Sequence, residues 1–316
     1  MQATARGCWT VQYHTLASCC FAREFQVYWG LLGSAGLMSV SLAVKAVFKD
    51  DANVLTSGHS AGGARVDYVL ARQAIHEQLS AHPELIGQVL HLLWLAAGTV
   101  DRRAGTGGIE GATLQLEPLA SDVRVQRVQP AIAALADVQA SCPGLTVSDA
   151  WALAAREAWC MWAQQLPAWK PGRLDAVSPG QQPNADAFQA ALPIPDQSAL
   201  PLARATAAEQ RLLWQRIGLS PEQGVALLCI ADVAAAQLGY TGATPGLPPS
   251  ARATLAAAAS QPNAAFPLAS ACHEDEELRR LAQQLQRDPE QWKLAGASGI
   301  AICSQAGVRF AAMRGV

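Results

Sequence analysis

The stretch Val89-Leu90-His91-Leu92-Leu93-Trp94-Leu95-Ala96-Ala97-Gly98-Thr99 decides the fold. Leu85, Val89, Leu92, Leu93 and Ala96 recur at spacings of three and four, which predicts a helix with one face in the core. Pro83 suits its first turn. Asp101 and the run Gly107-Gly108-Ile109-Glu110-Gly111 follow it and predict a turn. Upstream, Val66, Val69, Leu70, Ala74 and Leu79 predict the buried face of a preceding helix, which must end before Pro83.

Downstream helices are marked by their caps, side chains that satisfy amides the first turn leaves unpaired. Ser148-Asp149 opens a helix rich in alanine and tryptophan. Thr206 with Glu209 and Ser220 with Gln223 have the spacing of capping boxes. Asp288, Pro289, Glu290 and Gln291 repeat the device before an apolar helix running to about Ser304. Proline-rich stretches at 167–205 and 239–262 predict long loops. Strand signals are weak throughout and no internal repeat stands out. The expected architecture is all-α, with two helical lobes.

Composition agrees with a large packed body. Of 316 residues, 51% are hydrophobic and 15% charged, so the apolar material for a sizeable core is present. A net charge of -2 gives no concentrated positive surface, and no nucleic-acid partner is expected. The 8 cysteines show no CxxC pair or Cys/His cluster with zinc spacing, and most read as buried thiols. Residues 1–23 carry Arg6 and Arg23 with no acidic residue, the composition of a transit peptide. An apolar run from Val27 to Val44 follows, read as a signal-type segment cleaved near Ser41 and Ala43, or as an anchor. Residues 1–50 are therefore expected to be a leader and 51–316 the helical domain.

The motifs together, over about residues 61–305, resemble the haem peroxidases of class I, the ascorbate peroxidase-like branch of the plant-type superfamily. They are the opening helix with its glycine loop, Glu117-Pro118-Leu119, Val147-Ser148-Asp149-Ala150 with Leu153-Ala154, Gly218-Leu219-Ser220 with Val225-Ala226-Leu227, and Phe266-Pro267 through Asp275, Leu278 and Leu281. The resemblance implies a two-lobed all-α fold that encloses haem. It also implies which groups the chemistry needs, and most are missing. His91 stands where that family has an arginine that stabilises charge as the peroxide bond breaks. Leu95 stands where it has the histidine base, and leucine moves no proton. Only the distal aromatic, Trp94, is kept. Ala231 replaces the iron-binding histidine, Ala269 the aspartate that orients it, and residues 239–243 hold no counterpart of the proximal tryptophan.

The reading that follows is a pseudoperoxidase: no catalytic residue, no haem or metal, and a binding or scaffold role with a protein partner. The Pro-Glu-Leu-type motif and the lost ligands are most similar to the degenerate thylakoid-lumen branch of the family. That likeness implies a chloroplast protein associated with photosystem II or other thylakoid membrane proteins, with the mitochondrion as the alternative address. Two enzymatic alternatives stay open. His91, one turn before position 95, points toward the same cavity and is a candidate haem ligand or base for an atypical peroxidase. Gly58-His59-Ser60-Ala61-Gly62 fits the nucleophile elbow of serine hydrolases, with Ser60 as nucleophile and His273 and Asp232 as partners, although no strand and no alternating β/α pattern accompany it.

Several other features have a bland reading beside the sharp one. Trp94 marks either a retained small-molecule cavity or plain core. Trp151, Trp159 and Trp162 read as core and interface, Glu274 to Glu277 as a solvated helix start. Gly105 to Gly111 lacks the third glycine of a dinucleotide loop. Cys229 and Asp232 flank Ala231, but each residue turns the helix by about 100°, so neither aims where Ala231 does.

Overall fold

A computed structural model of the chain describes residues 66–101, 103–104, 106–176, 189–190, 194–195, 197–201, 205–237 and 267–308. The expected leader, the candidate elbow at Ser60 and the whole of the 239–262 gap lie outside the described residues.

Helix α1 spans Tyr68–Ala81 and is capped by Asp67, whose carboxylate accepts the amides of Val69 and Leu70. The helix ends before Pro83 as expected, but its buried face is different. Tyr68, Ala71, Ile75 and Leu79 turn inward, while Val69 and Leu70 are exposed. The orientation is fixed by polar groups: Arg72 and His76 both reach a buried carboxylate, Glu157, and Tyr68 reaches Asp149.

Helix α2, Leu85–Gly98, carries the opening stretch. Pro83 lies in the turn before it rather than in its first turn. Nearly every residue from Val89 onward is buried, so α2 is a central helix covered on all sides rather than one with a single buried face. It packs on α5 (Val147–Ala163) and α7 (Pro221–Gln237). Between these lie α3 (Val123–Gln126), α4 (Gln129–Ser141) and α6 (Ala207–Ile217). Helices α8 (Pro267–Glu274), α9 (Glu276–Arg287) and α10 (Pro289–Cys303) complete the described order, and α10 packs on α5 and α7. One hydrophobic cluster runs through both halves, from Val66 to Ala306.

The caps behave largely as local chemistry demands. Thr206 and Glu209 form the full reciprocal box. Ser220 and Gln223 do the same, and Asp288 accepts from the Gln291 amide. At α5 the cap is Thr146, not Ser148-Asp149. The Ser148 amide and hydroxyl instead bind Asp175, at 2.8 Å each, and Val147 adds its amide at 2.7 Å. Asp175 begins a strand pair inside the predicted 167–205 loop: β1, Asp175–Ala176, lies parallel to β2, Gln189–Ala190.

The glycine loop after α2 is clasped against the end of α10. The Ile109 amide donates to the Ala306 carbonyl at 2.9 Å, and the Gly108 amide to the Thr99 hydroxyl at 2.9 Å. Gly107, Gly108 and Gly307 all have positive φ, and a methyl group on Gly107 or Gly108 would overlap the backbone of Thr99 or Ala306. Among the described residues no helix is long and apolar enough to cross a membrane.

Candidate functional site

The distal face of the expected pocket is built by α2. Trp94 and Leu95 are both buried, Leu95 to 1% exposure, among Leu92, Leu93 and Ala96. Trp94 therefore belongs to the core. His91, one turn earlier, is enclosed at Nδ1, which has no hydrogen-bond partner, while the residue as a whole keeps partial exposure. Burial, with a smaller contribution from the charge of Arg127, lowers its pKa from 6.5 to about 4. The ring is thus neutral near pH 7, unlike the arginine that the family places there. One further turn back, Gln88 is 8% exposed and its Oε1 also lacks a partner. Sequence reasoning missed Gln88 because a glutamine near a helix start resembles a surface residue.

The opposite face would come from α7 and α8. Ala231 lies on α7, which packs directly on α2, and Ala269 lies on α8, which packs on α7. Cys229 is buried beside Val225, Ala226 and Leu228. All five described cysteines, Cys142, Cys160, Cys229, Cys272 and Cys303, are buried and none is in a disulfide. Burial pushes the Cys303 thiol up to about 12, which keeps it protonated. Among the described residues no group of three or more histidine, cysteine or acidic side chains is placed to hold a metal.

These residues do not fit a peroxidase haem. At the positions that the resemblance assigns to the iron ligand and the base stand Ala231 and Leu95, which carry no donor atom, and His91 on α2 has its Nδ1 enclosed. No step through haem follows from them.

Polar order is concentrated elsewhere, around Asp149. Its carboxylate accepts from the Tyr68 hydroxyl (2.8 Å), the Gly172 amide (2.8 Å) and the Arg173 guanidinium (2.8 Å), and Arg173 also donates to the Ser304 carbonyl (2.8 Å). Burial, then the Asp149 charge, raises the Tyr68 hydroxyl, so it remains a donor. Asp175 is also raised, because burial outweighs the bonds from Ser148 and Val147. Glu157 goes the other way. Burial pushes it up, but the hydrogen bond with His76 and the charge and bond of Arg72 outweigh that and hold it low. These groups join α1, α5 and the end of α10, a structural role. The acidic run at 274–277 likewise does more than start a helix: Glu274 accepts the Ala207 amide, and Asp275 and Glu277 pair with Arg211. Of the hydrolase partners, His273 is exposed on α8 and Asp232 lies on α7, while Ser60 lies outside the described residues.

The helical order, the central α2 and the turn behind it define a haem-peroxidase fold. The sequence profile described as Peroxidase matches residues 71–286, and the chain belongs to that family, within the class I haem peroxidase superfamily. It is 31% identical over 168 residues to "Putative cytochrome c peroxidase, mitochondrial" of Yarrowia lipolytica, covering 52% of this chain and 55% of that protein. It is 30% identical over 169 residues to "Putative heme-binding peroxidase" of Aspergillus fumigatus, covering 51% and 48%. It is 30% identical over 167 residues to "Cytochrome c peroxidase, mitochondrial" of Emericella nidulans, covering 51% and 43%. The chain thus matches about half the length of these curated relatives. None of these names refers to a chloroplast or thylakoid protein, so the expected thylakoid-lumen address gains no support from them.

Proposed function

We propose that this chain is a non-catalytic member of the peroxidase family that acts as a binding or scaffold protein toward a protein partner. The observation that carries the reading is Leu95: at the position of the family's proton-transferring base, an apolar side chain is 1% exposed and packed into the core. Ala231 and Ala269 agree, since neither can supply an iron ligand or its orienting carboxylate. A fold of this size outlives its chemistry when apolar residues fill the former site, because buried polar groups without partners cost about 1–3 kcal/mol each. The word mitochondrial in two relatives' names favours that organelle over the thylakoid lumen for the proposal.

The second reading, a haem-dependent peroxidase with an atypical ligand, draws on the unpartnered Nδ1 of His91. Titrating the full chain with hemin separates the two. The proposal expects no stoichiometric Soret band and no peroxide turnover. A stoichiometric band that disappears in His91→Ala would overturn it in favour of the second reading.

A further inference from the structure

Trp159 and Trp162 on α5 and Trp292 on α10 form a closed triangle of rings. Their centroids lie 5.4 Å apart between Trp159 and Trp162, 5.1 Å between Trp159 and Trp292, and 5.2 Å between Trp162 and Trp292, all within aromatic contact. Trp159 and Trp292 are 0% and 6% exposed, whereas Trp162 packs at the edge of the core and is partly exposed. The other described tryptophans, Trp94, Trp151, Trp169 and Trp214, are all 8% exposed or less. Among the described residues, the triangle is therefore where indole rings in mutual contact reach solvent.

We propose that the triangle is a one-electron donor site, with Trp162 as the ring modified by small inorganic radicals of the carbonate-radical class. Indole is among the most easily oxidised side-chain groups, and taking an electron from Trp162 leaves a positive charge on its ring. Two polarisable, electron-rich rings in contact with it stabilise that charge, an attraction of the kind aromatic rings offer to cations. Trp169 is the contrasting case, because the Arg173 guanidinium already stands 5.7 Å from its ring and opposes a second positive charge there. The step balances with one electron and one proton. The carbonate radical anion gains the electron and becomes carbonate, Trp162 loses it, and the Nε1 proton leaves to water. The neutral indolyl radical is then captured by a nitroso spin trap through a new covalent bond.

No haem or peroxide enters this step, so its test is independent of the hemin titration. The full chain is exposed to carbonate radical with the nitroso trap present, and adducts are located by peptide mass spectrometry. A hydroxynitrobenzyl halide, which alkylates indole as a closed-shell electrophile, reads accessibility alone on a parallel sample. Trp162 is expected to carry more adduct than Trp94, Trp151, Trp169 or Trp214. In Trp159→Phe with Trp292→Phe, the adduct at Trp162 is expected to fall about two- to fivefold relative to its alkylation. Trp292→Phe alone gives the same comparison if the double variant does not fold. Adduct following alkylation in proportion at every tryptophan overturns the proposal, since accessibility would then be the whole cause. So does adduct concentrated at Trp169, or an adduct-to-alkylation ratio at Trp162 that the substitutions leave unchanged.

Discussion

Arg173 and Asp149 form a 2.8 Å ion pair with side chains 0% and 1% exposed. The pair sits where α1, the start of α5 and the end of α10 meet, because Tyr68 and Gly172 bind the same carboxylate and Arg173 also holds Ser304. Arg173→Met leaves a buried, uncompensated carboxylate, and the expected loss is about 3–5 kcal/mol by urea denaturation. Removing both charges in Arg173→Met with Asp149→Leu is expected to recover part of that loss. A single variant within about 1 kcal/mol of wild type would contradict the role given to the pair.

His91 predicts a dependence of stability on pH. Its folded value is about 4 against 6.5 when unperturbed, so between those limits the unfolded chain carries a proton that the folded chain does not. Stability from this group is therefore complete above pH 6.5 and falls as the pH drops toward 4, by on the order of 3 kcal/mol. The stability difference between His91→Leu and wild type should widen in favour of the variant across that window. Parallel curves for the two proteins would show that His91 is not neutral in the fold.

Restoring the distal base alone should not restore chemistry. Leu95→His places an imidazole in the apolar interior at a cost of about 1–3 kcal/mol, and Ala231 still offers the iron no ligand. Hemin-dependent peroxide turnover is expected to stay at the level of free hemin. The combination Leu95→His with Ala231→His is expected to bind hemin more tightly than either single variant, as read from the Soret titration.

The tryptophan cluster supplies a packing test. Trp159 lies 5.1 Å from Trp292 and 5.4 Å from Trp162 between ring centroids, and a methyl group on Gly296 would overlap the Trp159 ring. Gly296→Ala should destabilise by about 1–3 kcal/mol and alter the near-ultraviolet circular dichroism. An unchanged spectrum with unchanged stability would mean that α10 sits farther from α5 than described.

What could be read from the sequence was local. The boxes at Thr206 and Ser220 and the cap at Asp288 act within four residues, so residue type and spacing suffice. That Leu95, Ala231 and Ala269 carry no titratable or metal-binding group is equally plain from residue type, wherever they point. The face of α1 was not, since Glu157, far along the chain, selects Arg72 and His76. Ser148 was mistaken for a cap for the same reason: its true partner, Asp175, lies 27 residues away. The unpartnered state of Gln88 depends on what surrounds α2, which spacing does not encode.

The Ile109–Ala306 bond and the close fit of Gly108 against the Ala306 carbonyl give the chain a fixed order of completion. On the ribosome, the turn behind α2 emerges early but lacks the backbone that holds it until residues near 306 have cleared the exit tunnel. The turn cannot close before this late-made segment arrives, and the part of the α2 surface that faces α7 and α10 stays open to chaperones until those helices are made, while α4 and α5 cover the rest earlier.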